Sequence, residues 1–248
     1  MRYLLNTVAG AISVLFCISS FAATDAEELL QSRSAEFRQD VIEVAPGVYT
    51  AVGFGVSPTS MIVGDSGVVI IDTQIDATMA RAVLAEFRKI TDKPVSGIIL
   101  THGHGDHTGG AGVFAAAGDN VQIWAHEGFN QESRTLADAG LTIQQARGAR
   151  QGGFLLKPEQ RINNGVAKAY FPKRGGEVFA AEGTDPTHTL SAAREKVSIA
   201  GVELDLVAAT GETHDGLYVW YPQEGVLFAG DNFYKSWPNL YAIRGTPY

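Results

Sequence analysis

The 248 residues are 45% hydrophobic and carry 19 basic against 27 acidic side chains, a formal charge of −8. That apolar share suffices for the core of one domain, while the acidity argues against non-specific nucleic-acid binding. A single cysteine, Cys17, excludes an internal disulfide.

The first 22 residues have the form of a secretory signal: basic Arg2, an apolar stretch broadly from Val8 to Ile18, and the small-x-small site Ser20-Phe21-Ala22. The apolar run is too short for a convincing membrane span. Phe16, just before Cys17, is bulky where an acylated lipoprotein cysteine is usually preceded by a small residue, so cleavage is favoured over a lipid anchor. Cleavage removes Arg2 and no acid, shifting the charge from −8 to −9, and leaves a mature chain, 23–248, without thiols. The expected location is periplasmic or secreted.

Glu43–Phe54, Ser60–Val63 and Val68–Asp72 read as strands broken by Pro46-Gly47, Ser57-Pro58 and Gly64-Asp65-Ser66-Gly67. Asp76–Ile90 reads as a helix, with Met79, Val83, Leu84, Phe87 and Ile90 at the spacing of a buried face and Asp76 or Thr78 as its cap. Ile98–Leu100 is a short, wholly apolar strand. Val121–Ala125 reads as another strand, and Glu127 to about Arg150 as helical with a break near Gly140. Gln151–Ala193, rich in Gly, Pro and Asn and with little periodicity, reads as a long cover loop or a disordered one. Two hairpins follow, Val197–Ile199 with Val202–Val207, and Tyr218–Tyr221 with Val226–Ala229. This order suits an α/β domain with two sheets between helical layers and ligands at strand ends.

The chemistry is concentrated at Thr101-His102-Gly103-His104-Gly105-Asp106-His107, where three of the six histidines and one carboxylate follow the strand 98–100. Imidazole nitrogens and carboxylate oxygens at one strand end are the donors a divalent metal needs. In extended backbone His102, His104 and Asp106 share a side, Gly103 and Gly105 let the backbone bend close to an ion, and His107 starts the next element. This spacing suggests two ions, one on His102 and His104, the other on Asp106 and His107. Glu212 and Asp231 close later strands and are candidate further ligands, although each alone reads more readily as a turn carboxylate. His126 ends a strand and could line the site, although a solvent-facing or core histidine is the readier reading; His188 and His214 receive no role.

The string resembles the His-x-His-x-Asp-His signature of the metallo-β-lactamase-fold hydrolases, with Gly109-Gly110 following. The resemblance implies an αββα sandwich in which His102 and His104 hold the first metal and Asp106 and His107 the second. Most of that superfamily supplies a further ligand from Gly-His-Thr, where this chain has Gly211-Glu212-Thr213; Asp231 falls where an acid bridges both ions. The carboxylate exchange, with Pro238-Asn239-Leu240-Tyr241-Ala242-Ile243-Arg244-Gly245, is similar to the alkylsulfatase branch. That branch implies two Zn2+ ions, a small-molecule alkyl sulfate substrate, Asp106 and Asp231 as catalytic carboxylates, and Asn239 and Arg244 on the sulfate. A guanidinium suits a tetrahedral oxyanion because it offers paired donors.

One departure stands out. The superfamily's second site takes another histidine well beyond the bridging acid, and no histidine follows Asp231. The domain is therefore expected to lack its C-terminal part, with a weakened second site, and a homodimer is expected only if that part were present. Alternatives are another hydrolase of the same fold, such as a lactonase or lactamase, or a non-catalytic remnant. N-terminal sequencing of the exported protein is expected to start at Ala23 or Thr24; a mature chain still carrying Leu4 or Leu5 overturns the signal assignment.

Overall fold

A computed structural model describes residues 26, 28–131, 134, 155–157, 160, 162–163 and 181–233. The expected signal segment 1–22, Phe154 and Phe171 of the cover loop, and Asn239 and Arg244 lie outside these residues.

The chain begins its first sheet with β1 (Asp40–Ala45) and β2 (Val48–Val52), one expected strand divided at Pro46-Gly47, where Gly47 adopts φ 71°. Strand β3 (Thr59–Val63) and β4 (Val68–Ile71) continue it antiparallel; β5 (Val95–Ile99), β6 (Gln122–His126) and β7 (His188–Leu190) then add in parallel, in spatial order β1 to β7. The second sheet is an antiparallel meander of β8 (Arg194–Ile199), β9 (Val202–Ala208), β10 (Leu217–Tyr221) and β11 (Val226–Phe228). Its first turn is Ala200-Gly201, both at positive φ, the conformation in which a two-residue hairpin turn matches strand twist.

Alternation along the strands builds two cores. Val69 and Ile71 of β4 and Ile99 of β5 face the second sheet, meeting Ile199, Leu204, Leu206, Leu217 and Val219. Val68 and Ile70 face the other way, with Ile98 and Leu100, against helix α1 (Ala77–Phe87) and short helix α3 (Ala111–Ala115). A register irregularity between Val68 and Val69, opposite Val95 and Gly97, puts Gly97 where a Cβ would sit 2.9 Å from Ile199 of the second sheet. The structure is thus an α/β sandwich, and of the two expected helical layers the described residues show the one outside the first sheet. No described helix is long and apolar enough to cross a membrane.

Asp76 caps α1, its Oδ1 accepting from the Met79 amide at 2.8 Å. Of the expected face, Val83 and Phe87 are buried and Leu84 packs against the core, but Ala77 and Ala80 are buried as well, and the helix ends at Phe87 and leaves Ile90 39% exposed. Small alanines at the contact let α1 approach the sheet, which hydrophobicity alone does not reveal. Glu127–Asn130 form a turn after β6, the described residues Gln131 and Arg134 of the expected helix are helical, and the rest of it to Arg150 lies outside the described residues. His188, placed in the cover loop from sequence, instead belongs to β7 and stacks on Trp124, ring centroids 4.8 Å apart. Leu155 and Leu156 of that expected loop are exposed.

Phe87→Ala is expected to destabilise the fold by about 3–5 kcal/mol through a core cavity, while Ile90→Ala changes stability by less than about 0.5 kcal/mol. Urea unfolding of the two variants measures the contrast; equal losses would place Ile90 in the core after all.

Candidate metal centre

Strand β5 ends at Ile99 and burial continues through Leu100 and Thr101, so the residues that follow emerge at the carboxyl ends of the parallel strands. Thr101 is held from both sheets: its carbonyl accepts from the Leu217 amide at 2.8 Å, and its own amide donates to Asp72 Oδ1 at 2.9 Å. The Thr101 hydroxyl donates to Asp72 Oδ2 at 2.9 Å, and its oxygen lies 3.1 Å from His102 Nδ1. Because that hydroxyl's proton points at Asp72, its oxygen accepts from His102 Nδ1–H. His102 Nε2 is then a lone pair directed into the site, an assignment drawn from the hydrogen-bond network.

Backbone extension stops at His104. A short helix, α2 (Gly105–Thr108), begins at Gly105 with His104 as its cap residue, so Asp106 is not on the extended face shared by His102 and His104. It lies on the helix beside His107, which is almost fully buried. The helix is pinned by side chains on its carbonyls: Thr73 donates its hydroxyl to His107 O at 2.8 Å, and Ser57 donates to Asp106 O. Gly109 and Gly110 follow because no side chain fits there; a Cβ on Gly110 would overlap Thr73 O.

The structure brings the six sequence-proposed ligands together. His102, His104, Glu212 and Asp231 present ligand atoms all within 4.8 Å of one another, and so do Asp106, His107 and Asp231. Asp231 belongs to both groups, as a bridging acid must. Its position comes from the 3-10 turn Gly230–Asn232 after β11, where Gly230 at φ 53° passes so close to Thr101 that a Cβ would meet its hydroxyl at 2.7 Å. Glu212 lies four residues beyond the end of β9, in the turn leading to β10, rather than on the strand end itself. Its Oε2 is 3.8 Å from His104 Nδ1.

Two observations fit this cluster to a cation. His102 Nε2 and His104 Nδ1 face each other at 2.9 Å, so two nitrogens converge on the space that Glu212 and Asp231 also border. His107 Nε2 is buried without a properly formed hydrogen bond, although Asp231 Oδ1 stands 3.1 Å and Asp106 Oδ2 3.5 Å away. A buried nitrogen directed between two carboxylates is the setting of a metal ligand, and without a cation the same carboxylates favour a proton there. Nitrogen and oxygen donors without sulfur suit a divalent ion of zinc type, among others.

Asp72, read from sequence only as the end of a strand, proves to be the residue that orients His107. Its Oδ2 takes the His107 Nδ1–H at 2.8 Å, turning Nε2 toward Asp106 and Asp231. Asp72 is buried and adopts φ 57°, a conformation Asp tolerates better than most side chains. A carboxylate directly after the all-apolar Val68–Ile71 was the available signal.

Burial and charge set the two inner imidazoles apart. For His102, burial lowers the pKa below 6.5, helped by the neighbouring His107, against the pull of Asp72, Asp231 and Asp106. For His107, burial also disfavours the charged form, but Asp72, Asp106 and Asp231 outweigh it and raise the pKa well above 6.5. The stability contributed by His107 is therefore complete below pH 6.5 and lost as pH rises through its elevated folded value. That contributed by His102 is present above 6.5 and lost as pH falls through its lowered value. In chelator, thermal unfolding between about pH 5 and about pH 9 is expected to show decline on the alkaline side, flattened in His107→Gln. An alkaline limb identical in both proteins would contradict the charged His107.

Residues 52–242 match the family described as Metallo-beta-lactamase superfamily. A linear primary-alkylsulfatase of Pseudomonas sp. is 28% identical over 193 residues, covering 76% of this chain and 36% of that protein. An alkyl/aryl-sulfatase of Saccharomyces cerevisiae is 27% identical over 248 residues, covering 94% and 38%. Among solved structures, the stereoselective inverting sec-alkylsulfatase of Pseudomonas sp. superposes with a TM-score of 0.57 at 25% identity, over 75% of this chain and 30% of that one. A metallo-beta-lactamase family protein of Thermus thermophilus gives 0.51 at 21% identity, over 79% and 62%, a likeness of fold. The chain spans about a third of the length of the curated relatives it matches. Since the family match runs from before Asp72 to beyond Asp231, all the converging residues lie inside it, and the chain belongs to the metallo-beta-lactamase superfamily.

Proposed function

We propose that this chain is a metal-dependent hydrolase of the alkylsulfatase type, cleaving alkyl sulfate esters to alcohol and sulfate. The observation that carries the reading is Glu212. It joins His102, His104 and Asp231 within 4.8 Å, in the place where most of the superfamily has a histidine and the alkylsulfatase branch has an acid. The similarity to alkylsulfatases of bacterial and yeast origin supports the same choice.

In this reading His102, His104, Glu212 and Asp231 hold one zinc ion, and Asp106, His107 and Asp231 hold the second. Such a pair of ions supplies Lewis acidity, lowering the pKa of water and neutralising charge on the ester oxygens. The protein's own part is to position and to move protons. Asp72 keeps the proton on His107 Nδ1 and so leaves Nε2 for the site. Thr101 does the same for His102 through its hydroxyl oxygen. Asp106 Oδ2, on a side chain that is 28% exposed, is the more open of the two carboxylates beside His107 and is placed to take a proton from the attacking water. Asn239 and Arg244, by resemblance, bind the sulfate. Attack at carbon and attack at sulfur both yield alcohol and sulfate.

The second group has one imidazole against two in the first, so its ion is the more weakly held. Location in the periplasm or outside the cell belongs to this proposal as well.

With added zinc, release of sulfate from a primary alkyl sulfate is expected, and Asp231→Asn should abolish it because both ions lose a ligand. Metal titration is expected to show two equivalents, the first tighter. Turnover of a lactone or β-lactam without any sulfate release would replace this reading by the other hydrolase class. Absence of both metal uptake and turnover would favour a non-catalytic remnant.

A further inference from the structure

We infer that Asp215 is a positioning residue that sets the geometry of the first metal group, His102, His104 and Glu212; the inference rests on the metal-centre reading above. Asp215 is 4% exposed, three residues beyond Glu212 in the turn between β9 and β10. Its Oδ2 accepts from the Asn130 amide at 3.0 Å, and Asn130 ends the turn that follows β6, held there at φ 60°. The same oxygen stands where a Cβ on Gly103 would be 2.6 Å away, as does Asn130 Oδ1. Gly103 is the residue between His102 and His104.

Three loops from three strand ends therefore meet at one carboxylate: the loop after β5 with two imidazoles, the turn after β6, and the turn after β9 with Glu212. None of them is a regular element; the Ala209 amide on Gly216 O and the Gly211 amide on Thr213 O close the Glu212 turn on itself, but neither bond reaches the loop that carries His102 and His104. The Leu217 amide on Thr101 O ties the start of β10 to the end of β5, but that tie lies five residues beyond Glu212. Asp215 lies between, close enough to set the turn's depth. Through its bond to Asn130 it draws the turn down onto Gly103, and Gly103, lacking a side chain, lets it arrive. The result is Glu212 Oε2 at 3.8 Å from His104 Nδ1, a separation two ligands of one ion can adopt. The turn after β6 thus contributes to the site without supplying a ligand. Asp106 and His107, the ligands that only the second group uses, are held on α2 by Ser57, Thr73 and Asp72, so the effect of Asp215 should fall mainly on the first ion.

The test is zinc titration of the full chain by calorimetry, comparing the wild type with Asp215→Ala, Asp215→Asn and Gly103→Ala. Asp215→Ala is expected to weaken the tighter ion by about 10- to 100-fold, the usual cost of losing an outer-shell support. Asp215→Asn, which still accepts from the Asn130 amide, should retain most of the affinity. Gly103→Ala leaves Asp215 intact but forces it away, and should weaken the same ion. The weaker ion should change little in all three, which a general loss of folding would not reproduce. Crystal structures without metal should show the His104 Nδ1 to Glu212 Oε2 separation widened in Asp215→Ala. Unchanged tight binding in Asp215→Ala overturns the inference while leaving the metal centre standing; should that variant not fold, unchanged tight binding in Gly103→Ala does so. A wild type that binds no zinc overturns both.

Discussion

The Asp72 carboxylate, buried and accepting from the Thr101 amide, the Thr101 hydroxyl and His107 Nδ1, is the interaction on which the site depends. It joins the ends of β4 and β5, adjacent parallel strands, and from there it orients imidazoles on both sides of the motif. His107 is turned directly. His102 is turned through the Thr101 hydroxyl, whose proton is already committed to Asp72. A buried carboxylate with three donors is well satisfied, and the network fixes which ring nitrogen of His102 and of His107 faces the site.

What surrounds that network is a set of close backbone approaches. Gly230 passes over Thr101, Gly110 over Thr73, and Gly211 beside Asn232, whose Oδ1 occupies the space an added Cβ would need. These contacts let chain segments that end different strands crowd into a small volume without side chains intervening. Four carboxylates (Asp72, Asp106, Glu212 and Asp231) gather close to three imidazoles there. Such a density of acids in a partly buried site is unfavourable by itself, and a cation is what offsets it.

The superfamily shares its metal-bearing centre among many chemistries, so fold alone leaves the substrate open. In this chain the discriminating feature is inside the donor set: a carboxylate, Glu212, where an imidazole is usual. An extra negative ligand lowers the net charge of the centre and thereby its power to polarise a bound group. That donor set is the part of the centre on which the proposed sulfate-ester substrate rests.

Much of this was legible in the order of residues alone. The apolar runs 68–71 and 98–100, the Ala200-Gly201 turn and the cluster at 102–107 each carry a local signal, because strand burial, positive φ and metal-donor spacing are properties of neighbouring residues. The helix from Asp76 was legible together with Val83 and Phe87 of its buried face, but the buried Ala77 and Ala80 were not, since alanines that allow close packing look neutral in a hydrophobic pattern. The start of α2 at Gly105 also escaped, and with it the true placement of Asp106, because Gly-Asp-His carries no strong helical preference. Asp72, Asp215 and β7 were missed for a common reason: their partners lie tens of residues away, His107 for Asp72, Asn130 for Asp215, β6 for β7. The order of residues sets which atoms are available to grip a cation and that strands carry them. That donors at 102–107, 212 and 231 meet is a property of the folded chain, because it depends on two sheets packing through their apolar faces and bringing separate strand ends to the same edge.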